Sequence, residues 1–393
     1  MIYGKTLSRS IVLAVLVVVV LAAGIGVGRL TAPVLISERT VTIVSAATVT
    51  RPVTETVTQV TTRVVTTITP VTVVREIVSV VDSLGRVLVF DKPPGRVVSL
   101  APSITEILFA LGLGNRVVGV TSFCNYPPEV LKLVNEGKIA VIGGFWTPEL
   151  EKILAVKPDL VIGSAGTPPH LRLKDQLEQA GIKVLYIRGS GAIDKYEVYL
   201  DIRTVARIFL VESAAEELIA RMEREVSAVE AQVPKTGRPK VLILLGPPSW
   251  GLYSAGGNTF IGWVLRTAGG VNIAGRFSGW PQLDYEFIVS QNPDVIIVSA
   301  HGVDPKAVLK EIAESPLAAT NAFKNGRIYL VNQEANDILM RPGPRLSLAV
   351  RIVASILYPE IFGEVDIPVI VRPTADAPVV ITQNVLQQLE VTS

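Results

Sequence analysis

The hydrophobic pattern divides the chain before composition is considered. Ile11 to Val27 is an unbroken run of apolar residues and glycine, preceded by Lys5 and Arg9 and closed by Arg29. A run of that length nearly spans a bilayer, and the leading positive charge keeps the N-terminus inside and sends the remainder out. The pattern predicts an uncleaved transmembrane anchor over residues 1–30, with a cleaved signal segment as the competing reading. Leu21-Ala22-Ala23-Gly24 is similar to a lipoprotein signal but carries glycine where the lipid-bearing cysteine belongs, so lipid anchoring is not expected. Residues 31–77 follow as a biased tract. Between Thr40 and Arg75, 13 threonines and 11 valines make up 24 of 36 residues, the composition of an extended stalk. Positions from Val53 to Val78 at alternating four- and three-residue steps also fit a coiled-coil seam, against which stand Pro70 and the weak helix propensity of β-branched residues.

From Val78 the pattern becomes that of a globular domain. A hairpin is expected around Asp82 to Arg86 and a strand over Val97 to Leu100. Ser103-Ile104-Thr105-Glu106 fits a capping box that opens a helix with Ile104, Ile107, Leu108 and Leu111 on one face, ended by Gly112 and Gly114. A strand over Val117 to Val120 follows. Thr147 is expected to cap a helix with Pro148 at its first position, running into Lys157-Pro158-Asp159 and the strand Leu160 to Ile162. This alternation predicts an α/β fold with mostly parallel sheets covered on both faces.

The segment Leu150 to Ile162 aligns without a gap with Tyr285 to Ile297, so that Glu151 matches Glu286 and Pro158-Asp159 matches Pro293-Asp294. A weaker echo relates Thr105 to Gly114 with Thr259 to Gly270. One long internal repeat implies two similar lobes rather than a solenoid. The N-terminal lobe is assigned to residues 78–192, connecting helices to 193–235, the C-terminal lobe to 236–363 and a proline- and valine-rich tail to 364–393. Ile193 to Val233 reads as almost continuous helix, with Leu218, Met222 and Val226 on one face. Such a linker resists hinge bending, so large closure of the lobes is not expected.

Composition then removes function classes. Of 393 residues 49% are hydrophobic, enough for sizeable cores, and a net charge of +2 from 37 basic and 35 acidic side chains offers no footprint for nucleic acid. The single cysteine, Cys124, rules out a disulfide within the chain and is expected as a buried or lining thiol. His170 and His301 lie in no metal spacing and beside no evident nucleophile. Gly112 to Gly119 lacks the dinucleotide spacing, and neither a phosphate-cradling loop nor a nucleophile elbow is present. No catalytic residue, metal site or resident cofactor is expected.

Aromatics are scarce at 6%, yet Trp146, Trp250 and Trp280 all lie among glycines and prolines, while Trp263 falls within a helix pattern. Loops after the strands of an α/β sheet gather at the ligand-binding edge, where such rings either stack on a solute or pack under their own loops. Glu151 and Glu286 occupy matched places in the first turns of their helices, serving either the helix dipole or a partner's arginines. Asp337 and Arg341, four apart, form either an intrahelical pair or two polar ligand contacts.

With these residues assembled, the chain resembles the helical-backbone (type III) periplasmic binding proteins of ABC importers, specifically the cobalamin-binding branch. The resemblance spans about Val80 to Phe362 and rests on Arg96-Val97-Val98-Ser99-Leu100-Ala101-Pro102-Ser103-Ile104-Thr105-Glu106, Gly119-Val120-Thr121-Ser122-Phe123-Cys124-Asn125-Tyr126-Pro127-Pro128 and the two Pro-Asp strands. It implies that Glu151 and Glu286 dock on the permease. Phe123, Phe145, Tyr253 and Trp280 fall on the ligand-stacking aromatics, and Asp337 and Arg341 on the polar pair near the end. Phe145 stands where the cobalamin binder has tryptophan, and the loop from Gly166 to His170 is rewritten.

The implied function is capture of a corrinoid such as cobalamin between the lobes, without catalysis, for delivery to ABC permease and ATPase subunits. A ferric siderophore or haem is the alternative cargo, and an envelope-bound enzyme on the same scaffold the alternative class. The implied protein is a monomer, held to the cell membrane by a single span, with its lobes extracellular or periplasmic.

Overall fold

The computed structural model describes residues 30–34, 73–299, 302–363 and 370–371. Residues 1–29 of the expected anchor, the centre of the threonine–valine tract and nearly all of the tail lie outside the described residues. Among the described residues no helix is long and apolar enough to cross a membrane.

The flanks of the tract are sheet. Strand β1 (Leu30–Val34) pairs antiparallel with β2 (Val73–Val81), which turns into β3 (Val87–Phe90). Runs of β-branched residues suit a pleated surface, so the strand begins before the boundary at Val78 that composition suggests. The hairpin falls where expected: Asp82 accepts the Leu84 and Arg86 N–H groups and pairs with the Arg86 guanidinium.

Each lobe is built on one five-stranded sheet. In the first, β4 (Val97–Ser99), β5 (Val117–Val120), β6 (Ala140–Val141), β7 (Leu160–Ser164) and β8 (Lys183–Ile187) run parallel in the order β6-β5-β4-β7-β8. In the second, β9 (Lys240–Leu244), β10 (Val271–Asn272), β11 (Val295–Ser299) and β12 (Ile328–Val331) are parallel and β13 (Ile370–Val371) antiparallel, in the order β10-β9-β11-β12-β13. The first strand of each lobe therefore lies between the next strand and a later one, and each sheet has its topological switch beside that strand.

The repeat has a physical basis. Lys157 and Asn292, the residues before the repeated prolines, both take left-handed backbone, with φ of 45° and 48°. The aspartate that follows clamps the start of the neighbouring strand. The Asp159 N–H donates to the Arg96 carbonyl and its carboxylate accepts the Gly95 and Arg96 N–H groups. Asp294 makes the same reciprocal pair with Lys240.

Three local expectations change. The helix Pro102–Ala110 starts at proline with Ala101 as its N-cap, and Ser103 and Glu106 are buried instead of forming a capping box. Thr147 closes a tight turn with Gly144, and the next helix, Leu150–Ala155, has Glu149 as its N-cap. The helix read as continuous is two, Lys195–Phe209 and Glu212–Gln232, separated by Leu210 at φ 58°. No glycine marks that break. The Val211 N–H reaches back to the Ala206 carbonyl and closes the first helix.

Alternate strand residues enter different cores. Val97, Leu160, Ile162, Leu185, Val241, Ile243, Val295 and Ile297 join one apolar cluster that also takes Leu218, Met222 and Val226 of the long helix, so this layer is common to both lobes. Val98, Val161 and Tyr186 pack on the outer face of the first sheet, and Leu242, Ile296 and Val298 on that of the second. The lobes also share a buried charge cluster. Glu106 of the first lobe accepts from Arg341 at 3.0 Å and from both arms of Arg345 at 2.6 and 2.8 Å, and it is 2% exposed. Arg341 pairs in addition with Asp337 at 2.9 Å.

Two measurements follow from this frame. Glu106→Ala leaves two buried guanidinium groups without their carboxylate and is expected to lower unfolding free energy by about 3–5 kcal/mol. Chemical denaturation reads the loss, and removing all four charges together, with Glu106→Leu and Asp337→Leu beside Arg341→Met and Arg345→Met, recovers part of it. Asp201 of the helix Lys195–Phe209 accepts the Arg188 and Gly189 N–H groups, each at 2.8 Å, and burial pushes its carboxyl up to about 7. Because the folded value is raised, this contribution to stability is full below the unfolded value near 3.8 and is lost as pH rises through about 7. The difference between wild type and Asp201→Asn in stability-against-pH curves is expected to carry that slope.

Candidate functional site

The candidate ligand aromatics all follow the carboxyl ends of strands. Phe123 comes after β5, Phe145 and Trp146 after β6, Trp250 and Tyr253 after β9, and Trp280 after β10. Phe123, Trp146, Trp250, Tyr253 and Trp280 are between 41% and 60% exposed, unlike Trp263, which is buried in the helix Phe260–Thr267. Exposing five large rings withholds apolar area that burial would favour, and such rings cluster where a partner or solute covers them.

Local backbone holds them up. Gly143, at φ 104°, bridges to Pro148 and raises Phe145 and Trp146 on a short turn. The two rings meet edge to face at 4.8 Å, and Phe145 is half-buried against His170 at 5.1 Å. Trp250 ends a turn that Gly246 makes room for, since a Cβ there would stand 2.7 Å from the indole. Tyr253 bridges to Gln282, which sets the loop after β9 beside the one carrying Trp280, and Trp280 meets Phe260 at 5.9 Å.

The carboxyl edges of the two sheets meet through the charge cluster. Arg341 donates to the Asn125 side chain at 2.7 Å and to the Phe123 carbonyl at 3.0 Å, and Asn125 donates to Asp337 at 2.7 Å. Arg345 lies over the Tyr126 ring at 4.0 Å. Asp337 and Arg341 are thus an ion pair four residues apart, as one sequence reading had it, and also a bond between lobes. Glu106, Asn125 and Arg345 are the residues that sequence reasoning missed. Glu106 was hidden because its spacing from Ser103 suits a helix cap, whereas its partner Arg341 is 235 residues away.

Cys124 is buried against Thr105 and Thr121, and burial pushes its thiol up, which leaves it inert. His170 is buried, donates from Nε2 to the Phe145 carbonyl at 2.9 Å and is pushed by burial down to about 4. Glu151 and Glu286 are exposed in the first turns of Leu150–Ala155 and Tyr285–Gln291, and neither pairs with a cation among the described residues. A cavity of about 670 Å³ lined by Tyr196, Val233, Arg238 and Trp263 lies elsewhere and includes none of the candidate residues.

Comparison with known proteins agrees with this architecture. An uncharacterized ABC transporter substrate-binding lipoprotein of Bacillus subtilis is 34% identical over 291 residues, 73% of this chain and 87% of that protein. A cobalamin-binding protein of Halobacterium salinarum is 34% identical over 273 residues, 67% of this chain and 70% of that one. The solved periplasmic heme-binding protein from Roseiflexus sp. RS-1 in apo form is 30% identical with a TM-score of 0.58, covering 67% of this chain and 97% of that structure. The family model for periplasmic binding proteins matches residues 97–335, from the first strand of one lobe into the last helices of the other. The chain therefore belongs to the periplasmic binding protein family.

Proposed function

We propose that the protein captures a corrinoid such as cobalamin between its lobes and presents it to the permease of an ABC importer. The observation that carries this reading is the character of the meeting edges: exposed rings from both lobes flank arginines whose charge is already taken. An acidic chelate calls for free cations, but Arg341 and Arg345 are both turned onto Glu106, while Arg188 lies 3.6 Å from Glu197. A bulky, largely uncharged ring system suits the stacking surface that remains. The cobalamin-binding relative supports the same cargo. The haem-binding structural neighbour supports haem among the alternative cargoes, haem or a ferric siderophore.

In this reading Phe123, Phe145, Trp146, Trp250, Tyr253 and Trp280 contact the ligand. Asp337 and Arg341 border it while holding the lobes. Glu151 and Glu286, one on each lobe, bond arginines of the permease, and transport energy comes from the partner ATPase. The lobes correspond to residues 78–192 and 236–363. They work as a monomer outside the cytoplasmic membrane, held there by the N-terminal segment.

Calorimetric titration of the full chain with cobalamin is expected to give saturable binding in or below the micromolar range, with haem binding more weakly. Absence of saturation at micromolar cobalamin sinks the corrinoid assignment, and tighter binding of haem replaces it with the alternative. Tyr253→Ala and Trp280→Ala are each expected to weaken cobalamin by about tenfold. The double reversal Glu151→Arg and Glu286→Arg is expected to abolish uptake in cells and leave the titration unchanged; undiminished uptake removes the docking role.

A further inference from the structure

His170 lies in the rewritten loop after β7 and takes no part in the ligand or docking roles above. Its ring is fully buried between two strand-end loops. Nδ1 stands 3.1 Å from the backbone nitrogen of Ser164, the last residue of β7, and Nε2 stands 2.9 Å from the Phe145 carbonyl oxygen. A backbone N–H only donates, so Nδ1 is the acceptor and carries no proton. A carbonyl only accepts, so Nε2 carries the proton. The neutral ring is therefore held in one tautomer by partners that cannot exchange roles.

The imidazole also meets the Phe145 ring edge to face, with the planes at 82°, and Phe145 meets Trp146 in the same manner at 81°. On the other side the Tyr186 hydroxyl of β8 donates to the His170 carbonyl at 2.7 Å. One connected path thus runs from the carboxyl ends of β7 and β8, through the histidine, to the exposed indole of Trp146.

We propose that His170 is a positioning residue for ligand capture: its Nε2–H fixes the Phe145–Trp146 turn against the end of β7, so that the first lobe offers its rings in a single pose. The proposal rests on the reading of those rings as ligand contacts. Its value to binding is preorganisation, because a turn ordered before the ligand arrives is not ordered at the ligand's expense. Protonation would set an Nδ1–H against the Ser164 N–H. Burial lowers the imidazole to about 4, which keeps the acceptor available at neutral pH. Of the groups packed on this residue, Ser164 and Phe145 do not titrate in that range, and burial raises the Tyr186 phenol, so it stays neutral as well.

The test uses the full chain and three variants. His170→Leu removes both bonds, His170→Asn can still accept from Ser164 but is too short for the Phe145 carbonyl, and His170→Gln restores a donor at that distance. Cobalamin affinity is expected to fall about tenfold in the Leu and Asn variants and to return to within about twofold of wild type in Gln. In a Phe145→Ala/Trp146→Ala background the penalty is expected to vanish, since His170 then has no rings to place. A penalty that persists there at full size, or an unchanged affinity in a folded Leu or Asn variant, overturns the proposal. Should His170→Leu not fold, the Asn variant carries the comparison.

A ligand-free arm separates this idea from the choice of cargo. Acrylamide quenching of Trp146, taken as the difference between each protein and its Trp146→Phe counterpart, is expected to rise in the Leu and Asn variants. If wild type does not bind cobalamin, the corrinoid reading fails and quenching alone decides: a rise upholds the positioning role, and no change overturns it.

Discussion

A carboxylate with two guanidinium groups, sealed from water, sets the relative placement of the two lobes. Desolvating Glu106, Arg341 and Arg345 costs several kcal/mol per ion, and only well-directed bonds offset it. The directions are specific. Arg345 grips Glu106 with two arms, and Arg341 divides itself among Glu106, Asn125, Asp337 and the Phe123 carbonyl. With Asp337 included the cluster has two negative and two positive groups, so it leaves no net buried charge. Sliding one lobe against the other would break several of these bonds together and strand charges in an apolar surround. The same arginine that closes the cluster holds the backbone of Phe123, so the placement of the lobes and of one exposed ring is a single geometric fact.

The shared apolar layer acts in the same sense. Each central strand sends alternate residues to an outer core and to the layer it has in common with the long helix Glu212–Gln232. Separating the lobes would expose that layer, at roughly 25 cal/mol for every Å² of apolar surface. Large-angle opening is therefore disfavoured by packing as well as by charge. A ligand that enters such a cleft meets rings already in place and loses less affinity to ordering than it would in a hinged clamp.

Much of this was legible because period and turn chemistry are local properties. Strands β4, β5, β7 and β11 and the parallel architecture followed from apolar runs and punctuation. The Pro-Asp repeat showed the two lobes because each copy makes the same strand clamp with residues nearby in space. What the sequence concealed depends on distance or on exceptions to local rules. Glu106 satisfied a capping pattern that a proline at the first helical position pre-empted. Leu210 breaks a helix in a backbone conformation that glycine usually signals. The exposed loop tryptophans were legible as outliers of composition, whereas the role of Arg345 was not, because an arginine has no pattern that announces a partner more than two hundred residues earlier.

Rigidity also constrains how an importer distinguishes a loaded from an empty protein. A ligand shifts a conformational equilibrium only by its differential affinity for the two states, and a locked pair of lobes offers little second state to select. Under the proposed reading, Glu151 and Glu286 then stand at nearly the same separation with or without cargo, so docking through them reports the presence of the protein rather than its occupancy. Occupancy has to be read at the cleft itself. The groups placed to report it are those exposed at the rim, Trp146 on one side and Trp250 on the other, together with the cargo surface they leave uncovered. Coverage of those preplaced rings by cargo, more than movement of the lobes, is the variable such a protein has available to change.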